Sequence, residues 1–304
     1  MIKLFLFTLM SATLWANVYD LSPIKVTSSV TCFIGDYNPP MKKNKGFVSN
    51  VCYVDMGNSV VVIEPGPTYV FAQELNELIE SDLGKKVTHV IATNFHDDRY
   101  TGASYYKEKN IPIVGHTTIV EEIKQYPEKF TRISKVTSKE EYAKSKVVMP
   151  DILTQDKYLI KGSKQTLEVL KLSSGSNSKS DIAVYSPQDD FIFMGNIVFN
   201  GRMIKYGKYS SMDPWIEALE KLQKMNVKYI LGGHGEQYDK NSYKRNLAYL
   251  KSLRTQVKKM YEEDMDILDI KKAVDTAEFN DVDHYETIAP ANISRYYNHL
   301  EWEE

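Results

Sequence analysis

Two blocks of hydrophobic strands, each followed by helices, run through this chain in the same order, and that repetition restricts its fold more than any other feature. The first block holds Ile24–Ile34, Val51–Met56 and Val60–Ile63, with Gly57-Asn58-Ser59 as a hairpin turn between the last two. Apolar residues at helical spacing follow in Phe71–Ile79, at Phe71, Leu75, Leu78 and Ile79. Strands Val87–Ala92 and Ile111–Val114 then alternate with helical stretches Gly102–Glu108 and Thr118–Gln125. Residues 126–156 are polar and read as a loop–helix excursion. The second block has strands at Tyr158–Ile160, Thr166–Leu172, Ile182–Tyr185 and Phe191–Met194. It continues with the amphipathic helix Pro214–Met225, the strand Val227–Leu231 and a long helix Ser242–Asp264, which opens a helical tail over about 240–304. Strand–helix alternation of this kind builds layers, and two similar halves predict a sandwich of two sheets with helices outside. With no short repeat and no linker, residues 17–304 read as one domain.

Residues 1–16 place one basic residue, Lys3, before a short apolar run that ends at the small residue Ala16. This predicts a secretory signal peptide cut after Ala16, the alternative being an uncleaved anchor helix. The expected location is the periplasm or the medium, with no membrane association after cleavage. Cys32 and Cys52 both survive cleavage and sit in strand-like runs, so they read as one disulfide or as two buried thiols. Lys+Arg 38 against Asp+Glu 40 gives a net charge of −2, which offers no electrostatic footing for nucleic acid. A small-molecule substrate or ligand is the expected partner, and nothing in the chain identifies a protein partner.

Three segments that carry polar chemistry share one placement, each just after a hydrophobic strand. They are Thr93–Arg99, Ser174–Asp181 with nearby Gly195-Asn196, and Gly232-Gly233-His234-Gly235. Loops at strand ends converge in layered folds, and ligand sites gather there. His96 and Asp98 stand two apart on a turn, and His234 lies between glycines; both residue types can hold zinc or a similar cation. A capping or hydrogen-bonding arrangement is the alternative for such a pair. His116 reads as a helix-start or packing residue, the alternative being a place in the cleft, and the basic loop Lys42–Lys45 reads as solvated, the alternative being a cover over the cleft mouth.

The stretch Ile91-Ala92-Thr93-Asn94-Phe95-His96-Asp97-Asp98-Arg99 resembles the central motif of the metallo-β-lactamase superfamily, usually His-x-His-x-Asp-His or ending in Arg. Other landmarks follow in that family's order. Glu64-Pro65-Gly66 stands at its Asp-x-Gly, Ser174–Asp181 at its third-histidine loop, Gly195-Asn196 at its bridging-ligand turn, and His234 at its last histidine. The tail Ala291–Tyr297, ending in Leu300-Glu301, is similar to that of exported zinc-hydrolase-like members. The resemblance implies an αββα four-layer sandwich of the α+β class, with a cleft along one edge.

It also implies a depleted metal site. The positions of the first metal hold Asn94, His96 and Asn177; those of the second hold Asp98, Arg99, Asn196 and His234. The good donors are therefore His96, Asp98 and His234. Asn94, Asn177 and Asn196 are neutral, weak oxygen donors. Arg99 and Glu64 are expected behind the ligands. The family reading is metal-assisted hydrolysis of an unknown small substrate with at most one zinc, or another divalent metal. The ion would polarise a carbonyl or ester oxygen, Asp98 would orient the attacking water or take its proton, and His96 would act as base or oxyanion donor. The alternative is a non-catalytic relative without metal, in which Asp98 pairs with Arg99 and the cleft binds a small molecule or a protein partner.

Overall fold

In the computed structural model, residues 17–303 are described; the expected signal segment at 1–16 lies outside them. The first sheet holds β1 (Pro23–Lys25), β2 (Val30–Phe33), β3 (Val51–Asp55), β4 (Val60–Ile63), β5 (Val87–Ile91), β6 (Ile113–His116) and β7 (Ile152–Thr154), side by side in that order. β1 to β4 run antiparallel, and β4 to β7 are parallel. The second sheet holds β8 (Lys157–Lys161), β9 (Thr166–Leu170), β10 (Ala183–Ser186), β11 (Phe191–Phe193) and β12 (Tyr229–Leu231), again as neighbours. Helices α1 (Tyr69–Leu83), α2 (Asp97–Tyr100), α3 (Ala103–Glu108) and α4 (Ile119–Gln125) belong to the first half. Helices α5 (Met212–Met225), α6 (Lys244–Glu262), α7 (Ile267–Ala273) and α8 (Tyr285–Glu303) belong to the second.

The alternating side chains of a strand sort these elements into layers. Val61 and Ile63 of β4 join Cys32, Val54 and Ile91 against Val169, Val184, Phe191 and Phe193 of the other sheet, so the two sheets meet face to face. Val60 and Val62 point the opposite way, onto Phe71, Leu75 and Ile79 of α1 and Tyr106 of α3. The outer face of the second sheet, at Ile192 and Ile230, is covered by Trp215 and Leu219 of α5, Leu250 and Leu253 of α6, and Ile293 of α8. The order is helix, sheet, sheet, helix.

Two local readings change. The run Ile24–Ile34 is two strands rather than one. Thr27 Oγ1 accepts the Ser29 and Val30 amides, and the Val26 and Thr27 amides close on the Val30 carbonyl, which folds β1 back onto β2. Within residues 126–156 a short strand, β7, pairs with β6, and single 3-10 turns at Pro127–Thr131 and Ile133–Lys135 replace the expected helix. Cys32 and Cys52 stand opposite one another on β2 and β3 and are disulfide-bonded. Among the described residues no helix is long and apolar enough to cross a membrane.

Candidate functional site

The loops that follow β5, β9, β11 and β12 meet in one cavity of about 640 Å³. Its wall includes His96, Asp98, Asn177, Asn196 and His234. Segments distant in sequence are thus joined, because the strands that feed them sit in two facing sheets. The close approach depends on Gly233, where a Cβ would stand 2.6 Å from the carbonyl carbon of Gly195 and 2.8 Å from Arg99 Nη1. Only glycine fits there.

Behind the cavity wall Arg99 is fully buried, and its guanidinium is the hub of the site. Nη1 donates to Glu64 Oε1 at 3.1 Å, Nη2 donates to His234 Nε2 at 3.2 Å, and Nη2 lies 3.7 Å from Asp98 Oδ2. Glu64 also accepts from the Thr93 amide at 3.1 Å and from the Thr93 hydroxyl. Burial pushes the Glu64 carboxyl up to about 7, against the pull of Arg99 and of the Thr93 donors. His234 Nδ1 donates to the Val48 carbonyl at 2.7 Å, so its Nε2 is the lone-pair nitrogen, turned to Arg99. Burial, and then Arg202 and Arg99, hold that imidazole well below the usual histidine range and neutral.

Asp98 is gripped from both sides. Arg132 Nη2 donates to Oδ1 at 3.0 Å, opposite the Arg99 contact, and Ser49 Oγ donates to the Asp98 backbone carbonyl at 2.9 Å. Burial alone would raise the Asp98 carboxyl, but Arg99 and Arg132 outweigh it and hold the group far below the usual carboxylate range. Arg132 also pairs with Asp97, which accepts the Arg132 amide at 3.0 Å and so ties the 126–136 segment to the cleft.

The asparagines form a chain that fixes His96. Asn177 Nδ2 donates to the Lys205 carbonyl at 3.1 Å, leaving Asn177 Oδ1 to accept Asn196 Nδ2 at 3.2 Å. Asn196 Nδ2 then donates to His96 Nδ1 at 3.1 Å. His96 Nδ1 is therefore an acceptor, and the proton of the neutral ring sits on Nε2. Burial and then the nearby cations Arg132, Lys129 and Arg99, opposed by Asp98, keep this ring neutral. His96 Nε2 and Asn196 Oδ1 are buried and have no partner among the described residues. Asn94 points elsewhere: its Nδ2 donates to Asp181 Oδ1 at 2.9 Å, and its Oδ1 accepts the His96 amide at 3.0 Å.

A model of the metallo-beta-lactamase superfamily matches residues 44–234, well over half of the chain. The chain belongs to the metallo-beta-lactamase superfamily. A metallo-beta-lactamase type 2 from Elizabethkingia meningoseptica is 24% identical over 206 residues, covering 66% of this chain and 74% of that protein. The same type of enzyme from Bacillus cereus is 23% identical over 209 residues, covering 67% and 73%. Among solved structures, a metallo-beta-lactamase from Pontibacter korlensis superposes with a TM-score of 0.63 at 20% identity, covering 76% of this chain and 99% of that one. The DIM-1 metallo-beta-lactamase superposes at 0.62 with 15% identity, over 77% and 98%. These likenesses establish the αββα sandwich of the metallo-beta-lactamase fold.

Superfamily members are typically zinc-dependent, and the donors of this member do not fit an ion. His234 Nε2 and Asp98 Oδ2, which would face a second-site metal, both face the Arg99 guanidinium instead. Asp98 Oδ1 faces Arg132. Asn94 is committed to Asp181, and both Asn177 and Asn196 turn amide nitrogens, which are donors, toward their neighbours. Among the described residues no group of three His, Cys, Asp or Glu side chains is placed to hold a metal. Arg99 and Glu64 are absent from the cavity lining and are paired with each other. His116 accepts the Thr118 amide at 3.2 Å and bonds the Thr118 hydroxyl at 2.8 Å, at the start of α4.

Sequence reasoning missed the cations. Lys129, Arg132, Arg202, Lys205, Lys208 and Arg295 line the same cavity, against two carboxylates, Asp98 and Glu128. Arg202 and Lys205 follow directly on the Asn196 turn, a signal that was readable. Arg132 lies in the polar excursion and Arg295 in α8, and only folding brings them to the cleft. Lys205 keeps a solvent-exposed side that screens it, and its ammonium is still pushed down to about 8, by burial and then by Arg295, Arg132, Lys129 and Arg202.

Proposed function

We propose that this protein is an exported, non-catalytic member of its superfamily that binds a small molecule in the cleft without a metal. One observation carries this reading: the Arg99 guanidinium is hydrogen-bonded to His234 Nε2 and faces Asp98 Oδ2. Arginine at this place is shared with other members, but here Asn94, Asn177 and Asn196 leave neutral amides in place of stronger donors, and the guanidinium occupies the two that remain, His234 Nε2 and Asp98 Oδ2. The cavity volume, about 640 Å³, suits a small ligand. Export is supported by the signal-like residues 1–16 and by the Cys32–Cys52 disulfide, a bond that persists in oxidising compartments.

Metal-assisted hydrolysis is the second reading, favoured by the shared cavity position of His96, Asp98 and His234. Metal analysis of protein purified without chelator separates the two. The expected result is far less than one zinc, iron or manganese per chain, with no rise in melting temperature on adding zinc. About one ion per chain, lost on His234→Ala and stabilising by mass action, would establish the hydrolase reading instead.

A further inference from the structure

The cleft concentrates unpaired positive charge inside a chain whose net charge is −2. Of its two carboxylates, Asp98 is already neutralised by Arg132 and Arg99, and Glu128 accepts the Tyr209 hydroxyl at 3.1 Å. Arg202, Lys205, Lys208 and Arg295 have no carboxylate within ion-pairing distance among the described residues. Arg202 Nε is buried with no hydrogen-bond partner among the described residues. The Arg295 guanidinium donates to the Tyr206 carbonyl at 3.2 Å. Holding like charges together in a cleft is unfavourable unless an anion enters.

Two further observations give the anion a shape. The cations come from three separate segments: Lys129 and Arg132 from the excursion, Arg202, Lys205 and Lys208 from the loop after the Asn196 turn, and Arg295 from α8. A planar carboxylate is satisfied by one bidentate guanidinium, whereas donors arriving from several segments suit a group with three oxygens and more than one charge. The asparagine chain moreover fixes the His96 proton on Nε2, a buried donor with no partner, in the wall of the same cavity.

We propose that the cleft is a binding site for a small phosphorylated molecule, whose phosphoryl group is held by Arg202, Lys205 and Arg295 and approached by His96 Nε2–H. This rests on the metal-free reading given above, since it gives the fixed cations the role an ion would otherwise have. Tyr209 lines the cavity with Lys129 4.6 Å and Lys208 5.6 Å from its ring centroid, which holds both ammonium groups at the cleft.

Isothermal titration calorimetry on the full mature chain at pH 7.5 and fixed ionic strength tests it, with phenyl phosphate, phenyl sulfate and benzoate as probes. Phenyl phosphate should bind at least tenfold more tightly than benzoate. Arg202→Gln, Lys205→Gln and Arg295→Gln should each weaken it by roughly tenfold, as for loss of one charge-assisted hydrogen bond. Lys258→Gln, at an exposed position of α6, should leave it unchanged. Lys205 is exposed, so its variant keeps the fold even where an arginine variant does not. Equal affinity for benzoate and phenyl phosphate, or losses no larger than the Lys258→Gln control, overturns the site. Equal affinity for phenyl sulfate overturns the assignment to a phosphoryl group. Zinc content is measured on the same samples: stoichiometric zinc in protein that binds phosphate sinks the metal-free reading alone, while zinc-free protein that ignores phosphate sinks this proposal alone.

Discussion

Arg99→Met should destabilise the fold in a way that depends on pH, because Arg99 shares a fully buried ion pair with Glu64 at 3.1 Å. In the intact protein burial raises the Glu64 carboxyl to about 7 even with Arg99 beside it. Removing the guanidinium deletes the largest opposing influence, and Glu64 then holds its proton to higher pH; a rise of about two further units is reasonable for a buried carboxyl. At pH 5 Glu64 is protonated in both proteins. The cost there is the loss of hydrogen bonds to Glu64 and His234, about 1–2 kcal/mol with a side chain of similar length in place, while Asp98 loses its longer contact and keeps Arg132 at 3.0 Å. Above pH 7 the intact protein releases the Glu64 proton and the variant does not, so the variant's penalty grows by about 1.4 kcal/mol per pH unit. By pH 9 the total reaches roughly 3–5 kcal/mol, the range for an orphaned buried charge. Urea denaturation followed by circular dichroism at pH 5, 7 and 9 measures this. Adding Glu64→Gln to Arg99→Met removes the titrating group and should flatten the dependence. An equal penalty at pH 5 and pH 9, or a double variant that keeps the slope, would refute the assignment of Glu64 as the buried partner.

Glu64→Gln alone should change the acid side of the stability profile. The folded carboxyl holds its proton to about 7 against 4.5 in the unfolded chain, so its contribution is full below pH 4.5 and falls on the order of 3 kcal/mol as pH rises to about 7. Urea midpoints of the two proteins should diverge across that window; parallel curves would contradict it. Reducing the Cys32–Cys52 bond, which closes a sequence separation of 20, should cost about 3 kcal/mol through the freed unfolded chain. Denaturation with and without dithiothreitol reads the difference, and an unchanged midpoint would count against it.

Much of this architecture was legible before folding. The unbroken apolar run Val60-Val61-Val62-Ile63 already marks a strand, and its being apolar at every position suits burial on both faces: β4 buries Val61 and Ile63 against one neighbour and Val60 and Val62 against another. Strand β7 was not legible, because Ile152-Leu153-Thr154 is too short and too polar in its surroundings to announce itself, and only its pairing with β6 makes it a strand. For the site, the sequence marked His96, Asp98, His234 and the three asparagines, and the fold gathers all of them except Asn94 into the cavity wall.

By itself the sequence determined which donors were missing, since an asparagine in place of an imidazole or carboxylate is chemistry readable residue by residue. It also determined the layered fold, since strand periodicity and motif order are local properties. Only the tertiary structure decided what the remaining donors face. The contact of Arg99 with His234 spans 135 residues, and that of Arg132 with Asp98 joins a loop excursion to the central motif. The Asp98–Arg99 pairing was readable from their adjacency in the motif, but Arg132 reaches Asp98 only through the packing of separate strands and loops, and no local pattern in the chain records its arrival.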